Sequence, residues 1–212
     1  MPSLRIAVAN RKGGTGKTTL ALNLAAGLQR RASTLVLDAD PQASISQWAA
    51  MSDKPGHLPD VQAVTQADVS ARIAQGGREH HYVVIDCPPT LQTATVGGVL
   101  NSVDVLLIPI QPSPVDLWAS VDIATAVRNA RRRSPQLKAF VVLNQLDSRN
   151  ALSRSMHEAL AELEFPTLRA GLARRAAYRS AAVEGTSVYG LGHRGKAATR
   201  EVEALIEELL QS

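Results

Sequence analysis

The run Asn10-Arg-Lys-Gly-Gly-Thr-Gly-Lys-Thr-Thr19 constrains this 212-residue chain more than any other stretch. An apolar run, Leu4–Ala9, precedes it. Leu20, Leu24 and Leu28 follow at four-residue spacing, with Ala21 and Ala25 beside them. The first pattern reads as a buried strand and the second as one face of a helix lying on a sheet. A glycine turn between strand and helix lets the backbone wrap closely around an anion, with successive N–H groups pointing at it. The helix N-terminus adds the positive end of its dipole. Lys17 and Thr18, where the helix opens, supply a cation for a phosphate chain and a hydroxyl for its metal ion.

The rest of the chain repeats the strand-then-helix rhythm. Thr34–Leu37, Tyr82–Ile85, Val105–Ile108 and Phe140–Leu143 are short, nearly continuous apolar runs, as strands buried on both faces of a parallel sheet are. Val115–Arg133, Ala151–Glu164 and Ala197–Leu210 read as helices. The pattern predicts an α/β fold, a doubly wound, mostly parallel β-sheet flanked by helices. Met51–Asp68, with Pro55, Gly56 and Pro59, is expected to be an irregular surface excursion. Ile110–Pro114 is expected to end a strand, because proline cannot continue the ladder. No internal repeat or low-complexity linker divides the chain, so residues 1–212 are expected to form a single domain.

Composition removes several classes of protein. The only cysteine, Cys87, excludes a disulfide within the chain and a cysteine cluster supplied by one subunit. No apolar run approaches the roughly 18 residues that span a bilayer. Arg5 and Lys12 break up any signal-peptide core, so a cytoplasmic location is expected. The five histidines show no metal-ligand spacing. The formal net charge is +4, and its placement is uneven. Arg128 and Arg131–Arg133 form one basic cluster, and Arg169 to Arg200 hold a second, while the last dozen residues are acidic.

Two carboxylate sites follow strands. Thr34–Asp40 reads TLVLDAD and Tyr82–Pro89 reads YVVIDCPP. Either aspartate alone would ordinarily be a loop or helix cap. Behind a phosphate loop, such carboxylates can hold a metal ion or orient water, because phosphoryl transfer depends on positioning and electrostatics. Asn144-Gln-Leu-Asp147, after the fifth apolar run, is a third polar strand end.

One departure in the loop is diagnostic. Arg11 stands where a standard phosphate loop has its first glycine, and Lys12 stands just before Gly13. The resulting KGGTGKTT resembles the deviant Walker A signature of the ParA/MinD superfamily of P-loop ATPases. The resemblance covers nearly the whole chain. Pro109–Ser120 and Arg174–Tyr189 are also similar to segments of small plasmid partition ATPases, though these matches are softer.

The resemblance implies ATP and Mg²⁺ as cofactors. Gly13, Gly14, Thr15, Gly16, Lys17, Thr18 and Thr19 would hold the nucleotide, and Asn144 would contact adenine. Gln145 stands where a guanine-reading NKxD motif has lysine, which favours ATP over GTP. Lys12 would cross a dimer interface to the partner subunit's nucleotide, and Asp40 would lie near the attacking water. Lys12, Lys17 and Asp40 are then the catalytic set, with Thr18, Asp38 and Asp86 at the metal. The resemblance further implies an ATP-dependent homodimer that binds nonspecific DNA on the nucleoid. Arg174, Arg175, Arg179, Lys196 and Arg200 are the candidate DNA contacts. A centromere-binding ParB-type partner would stimulate hydrolysis and drive plasmid or chromosome segregation. Membrane binding is not expected, because Glu201, Glu203, Glu207 and Glu208 flank the apolar stripe of the last helix, which should instead pack on the sheet. Two alternatives stand beside this reading. One is an ATPase of the same fold that positions a protein assembly on the nucleoid or membrane, and a more distant one is an amide-forming ligase.

Overall fold

The structure is a computed structural model that describes residues 3–52, 58–89, 94–147 and 165–212. Six strands among these residues form one parallel sheet: β1 (Leu4–Val8), β2 (Thr34–Asp38), β3 (Asp60–Ala63), β4 (Tyr82–Asp86), β5 (Val105–Ile110) and β6 (Lys138–Leu143). Their order is β3-β2-β4-β1-β5-β6, so β1 lies inside the sheet between β4 and β5. The five strands expected from apolar runs are all present, within two residues at each end.

Helices cover both faces. Val69–Glu79 (α3), Ala94–Leu100 (α4) and Pro114–Arg131 (α5) enclose one core, with Leu37, Ile85, Leu106 and Val141 on the sheet side. Lys17–Gln29 (α1), Ser44–Ala50 (α2), Ala176–Val183 (α6) and Lys196–Gln211 (α7) enclose the other, with Ile6, Val8, Val84 and Val142. A 3₁₀ segment, Val188–Gly195, joins α6 to α7. Parallel crossovers keep one hand, so helices on both faces are the consequence of winding the chain in both directions from β1.

α1 is buried all round from Leu20 to Leu28, where the leucine spacing alone implied one buried face. The second cover is α7, which packs against α1. The contact is close: a Cβ at Gly27 would collide with Tyr189 and Ile206. Alanine and glycine along α1 therefore let it sit between the sheet and a second helix layer, and stiff β-branched residues are absent from its interior.

Two expectations change. The excursion Met51–Asp68 contains β3, a four-residue edge strand paired with β2. Its ends are exposed and its middle half-buried, and with Val61 as its one large apolar side chain it carries almost no apolar signal. Strand β5 also continues through Pro109, where Ile108 was the expected end, and stops at Ile110 before Pro112 and Pro114. The expected helix Ala151–Glu164 lies outside the described residues.

Beyond β6 the chain runs as a strap, Phe165–Arg174, along the outer edge of that strand. It bonds to β6 and the turn after it through Val141 N–H to Pro166 O (3.0 Å), Leu172 N–H to Leu143 O (2.9 Å) and Arg174 N–H to Leu146 O (2.8 Å).

Candidate functional site

The C-terminal ends of β1, β2, β4, β5 and β6 converge on the glycine loop, the position where open parallel sheets bind ligands. The loop needs glycine where φ is positive, at Gly14 (77°) and Gly16 (86°). Gly16 is also the N-cap of α1, and a Cβ there would collide with the Asn144 side-chain amide. Both constraints act at one residue, so no other side chain fits.

Polar residues at strand ends tie the loop down. Asn10 donates from Nδ2 to the Pro109 carbonyl (2.7 Å) and accepts the Lys12 N–H (3.1 Å). Asn144, only 4% exposed, donates from Nδ2 to the Thr15 carbonyl (2.7 Å) and accepts the Gln145 N–H (2.9 Å). The Gly14 carbonyl receives Gln111 Nε2 (2.6 Å) and Gln145 Nε2 (3.1 Å). Turning carbonyls outward toward these amides leaves the loop N–H groups to face an anion. The sequence reading missed Gln111, Gln145 and Asn10 as loop holders. Their signal was placement, since each follows a buried strand on the ligand side of the sheet.

Lys17 is 7% exposed, with Nζ donating to the Lys12 carbonyl (3.2 Å). Burial pushes its ammonium pKa down, opposed by the charges of Asp86 and Asp40. A buried ammonium beside a glycine cradle is a phosphate-binding charge held out of water. Thr18 Oγ donates to Asp86 Oδ2 (2.7 Å), joining the helix start to the end of β4. Asp86 is 1% exposed, and its Oδ1 has no hydrogen-bond partner among the described residues. Desolvation raises its carboxyl pKa to about 7, with Thr18 and Lys17 pulling it down and Asp38 adding to the rise. A buried carboxylate oxygen without a partner, beside a threonine hydroxyl, fits an oxygen-loving divalent cation shared with substrate phosphates. No group of three or more His, Cys, Asp or Glu residues suited to a metal occurs among the described residues. Thr18 and Asp86 together fit Mg²⁺, which is held by one or two carboxylates and completed by phosphate and water.

Asp38 pairs in register with Asp86 across the β2–β4 ladder. Its carboxylate is already engaged: Oδ1 accepts the Asp40 N–H (3.3 Å), and Oδ2 accepts the Ser46 N–H (2.9 Å) and hydroxyl (2.7 Å). It therefore anchors the first turn of α2, a role the sequence reading did not give it. Asp40 is half-buried and accepts the Gln42 N–H (2.9 Å), and its charge is felt at Lys17 and Asp86. Lys12 is half-buried at the loop's outer turn, its backbone used by Asn10, Thr15 and Lys17.

The five basic residues expected at DNA divide into two groups. Arg174, Arg175 and Arg179 line a cavity of about 360 Å³ with Gly16, Asn144 and Gln145, beside the start of α1. Arg175 is bound to Glu201 of α7, through Nε at 2.7 Å and Nη2 at 2.6 Å. Lys196 and Arg200 are exposed on the first two turns of α7. No helix of the described residues is long and apolar enough to cross a membrane.

A lysine-bearing glycine cradle on a parallel sheet, joined through Thr18 to an aspartate at the next strand's end, defines a P-loop nucleotide-binding protein. Residues 6–188 match the CobQ/CobB/MinD/ParA nucleotide binding domain, and the chain belongs to that family. It is 39% identical to the maintenance of carboxysome distribution protein A of Halothiobacillus neapolitanus, over 98% of this chain and 96% of that one. It is 27% identical to the chromosome partitioning protein ParA of Caulobacter vibrioides, over 71% and 73%. Its fold matches cobyrinic acid a,c-diamide synthase of Mycobacterium smegmatis with bound ATP analog and magnesium, with a TM-score of 0.78, 20% identity and coverage of 98% and 95%.

Proposed function

We propose that this protein is an ATP-hydrolysing positional switch that dimerises around ATP·Mg²⁺ and, as a dimer, holds nonspecific DNA while it distributes a protein assembly. The observation that carries the nucleotide part is the Thr18–Asp86 bond at 2.7 Å, which sets a hydroxyl and a buried carboxylate beside the Lys17 cradle. When bound, Mg²⁺ neutralises phosphate charge there, with Thr18 and Asp86 as its protein ligands. Lys17 and the loop N–H groups grip the phosphates. Asp40, at the rim, accepts a hydrogen bond from the water that attacks the terminal phosphorus and so orients it. Lys12, at the outer turn, reaches the nucleotide of a second subunit facing it. Lys196 and Arg200 then lie on a surface open to DNA phosphates, which they contact without reading sequence.

The cargo is the point at which the sequence-based expectation shifts. Plasmid or chromosome segregation with a ParB-type partner was the leading expectation, and a positioned protein assembly its alternative. The relative that distributes carboxysomes spans nearly the whole chain at 39% identity, which supports the assembly. The more distant ParA relative supports segregation as the second reading.

The test is retention of purified protein on random-sequence DNA and on anionic vesicles, with ATP·Mg²⁺ compared against ADP. ATP-dependent retention on DNA alone is expected, lost in Lys17→Ala. Asp40→Ala should bind ATP and DNA but not turn over. Equal retention with ATP and ADP would sink the switch, and retention on vesicles alone would move the protein to a membrane.

A further inference from the structure

We infer that Glu201 and Glu208 of α7 are positioning residues for the nucleotide cavity, acting through the strap that forms its wall. The inference rests on the nucleotide reading above and deepens it.

The strap residues Ala173 and Arg174, with Arg175 next in the chain, line the cavity against Gly16 and Asn144. One edge of the strap is bonded to β6 and the turn after it, as described. The other edge is bonded to α7 by two carboxylates seven residues apart, two helical turns along the same side. Glu208 accepts the Arg169 N–H on Oε1 (2.8 Å) and the Ala170 N–H on Oε2 (2.8 Å). Glu201 accepts the Ala173 N–H (3.2 Å) and the Tyr178 hydroxyl (3.1 Å) on Oε2, and Arg175 Nε (2.7 Å) on Oε1. Five hydrogen-bond donors converge on two side chains, from the strap, from Arg175 at its end and from α6 just after it.

Sheet bonds alone leave the strap free to roll about its own axis, because those to β6 and its following turn lie along one edge. Carboxylates on the opposite edge remove that freedom. Charge-assisted bonds of this kind are shorter and about twice as strong as neutral ones. Glu201 also sets the side chain of Arg175, which would otherwise swing within the cavity or out of it. Tyr178, which lines the cavity as well, is fixed by the same carboxylate. So Glu201 and Glu208 are fasteners for the nucleotide wall, and Arg175 belongs to that wall.

The experiment compares native protein with Glu201→Gln, Glu208→Gln and, as control, the exposed Glu207→Gln. Two quantities are read: the affinity for methylanthraniloyl-ATP with Mg²⁺, and amide hydrogen exchange at Arg169, Ala170 and Ala173. Glutamine keeps the size of the side chain but cannot accept from both the guanidinium and the strap as a carboxylate does. Glu201→Gln is expected to weaken nucleotide binding about tenfold, raising the KM for ATP while kcat at saturation stays within about twofold. Exchange should accelerate at Ala173 in Glu201→Gln and at Arg169 and Ala170 in Glu208→Gln, with Glu207→Gln unchanged in all respects. A merely structural role would lower stability without separating KM from kcat. Native protein that binds the probe, with Glu201→Gln binding it equally tightly, overturns the inference alone. Native protein that fails to bind the probe overturns the nucleotide reading beneath it.

Discussion

Asn144 separates two roles that sequence alone could not. If it contacts adenine, its loss should change which nucleotide binds. In the structure its amide instead supports the Thr15 carbonyl at 2.7 Å and caps the Gln145 N–H at 2.9 Å. Gln145 sits at φ 57°, a left-handed conformation that costs a non-glycine residue roughly 1–2 kcal/mol. Asn144→Ala removes the support for that turn and strips one partner each from Thr15 and Gln145, both beside the buried start of α1. An unsatisfied buried polar group costs roughly 1–3 kcal/mol, so about 2 kcal/mol is the expected loss. For a chain of this size each kcal/mol moves Tm by about 2–4 °C, so nucleotide-free Asn144→Ala should melt about 4–8 °C below the native protein. Affinity for ATP and GTP should fall together, with their ratio kept, because the loop is loosened and the base is not. Thermal melts without nucleotide, and competition between ATP and GTP, measure the two quantities. An unchanged Tm with a collapsed preference for ATP would refute the bracing role and restore the base contact.

Two further outcomes follow from the charges. The Asp86 carboxyl is raised to about 7 from the 3.8 of an unstrained group, so between those values the folded state holds more protons than the unfolded one. Without nucleotide or divalent ion, stability should therefore fall as pH rises from about 4 to about 7, and level off above. Asp86→Asn, which keeps an acceptor for Thr18, should flatten that fall and raise Tm at pH 8, while abolishing ATP turnover; urea titrations across pH report it. At the proposed DNA surface, the double substitution Lys196→Ala with Arg200→Ala should reduce the slope of log affinity against log salt by about two, at roughly 0.9 per phosphate contact. Arg175→Ala should leave the slope nearly unchanged, because its guanidinium is held by Glu201.

The strands that could be read from sequence are those whose burial leaves no alternative. β1, β2, β4 and β5 are covered on both faces, and continuous apolar runs are the only compositions that suit such positions. β3 escaped because an edge strand is half wet and pairs through its backbone, which any sequence supplies. The glycine loop was legible because positive φ at Gly14 and Gly16 leaves glycine little competition. Placement after a buried strand marked Gln111, but the bonds that Asn144, Gln111 and Ser46 make were not legible, since each depends on residues about ten to over a hundred positions distant or on a turn geometry. The acidic end of α7 showed the opposite failure. Its glutamates were read only as an acidic flank that disfavours a membrane, while Glu201, Glu203 and Glu208 are ligands for strap amides, Tyr178, Tyr189 and two arginines.

The position of β2 in the sheet has a mechanical consequence. β1, which carries the phosphate grip, has a strand on each side, whereas β2 is separated from solvent by the four residues of β3 alone. α2 is seven residues long and held at its start by the Asp38 carboxylate and near its end by the Trp48 indole N–H on the Thr186 carbonyl (2.9 Å). Residues 39–50 thus form a small unit fastened at two points and seated on the core through Ile45 and Trp48. Its fastenings are Asp38 and Thr186, neither of them in the glycine loop, so the unit can shift with Lys17 and the cradle left in place. The rim that carries Asp40 is therefore hung from a different part of the frame than the loop that cradles the phosphates.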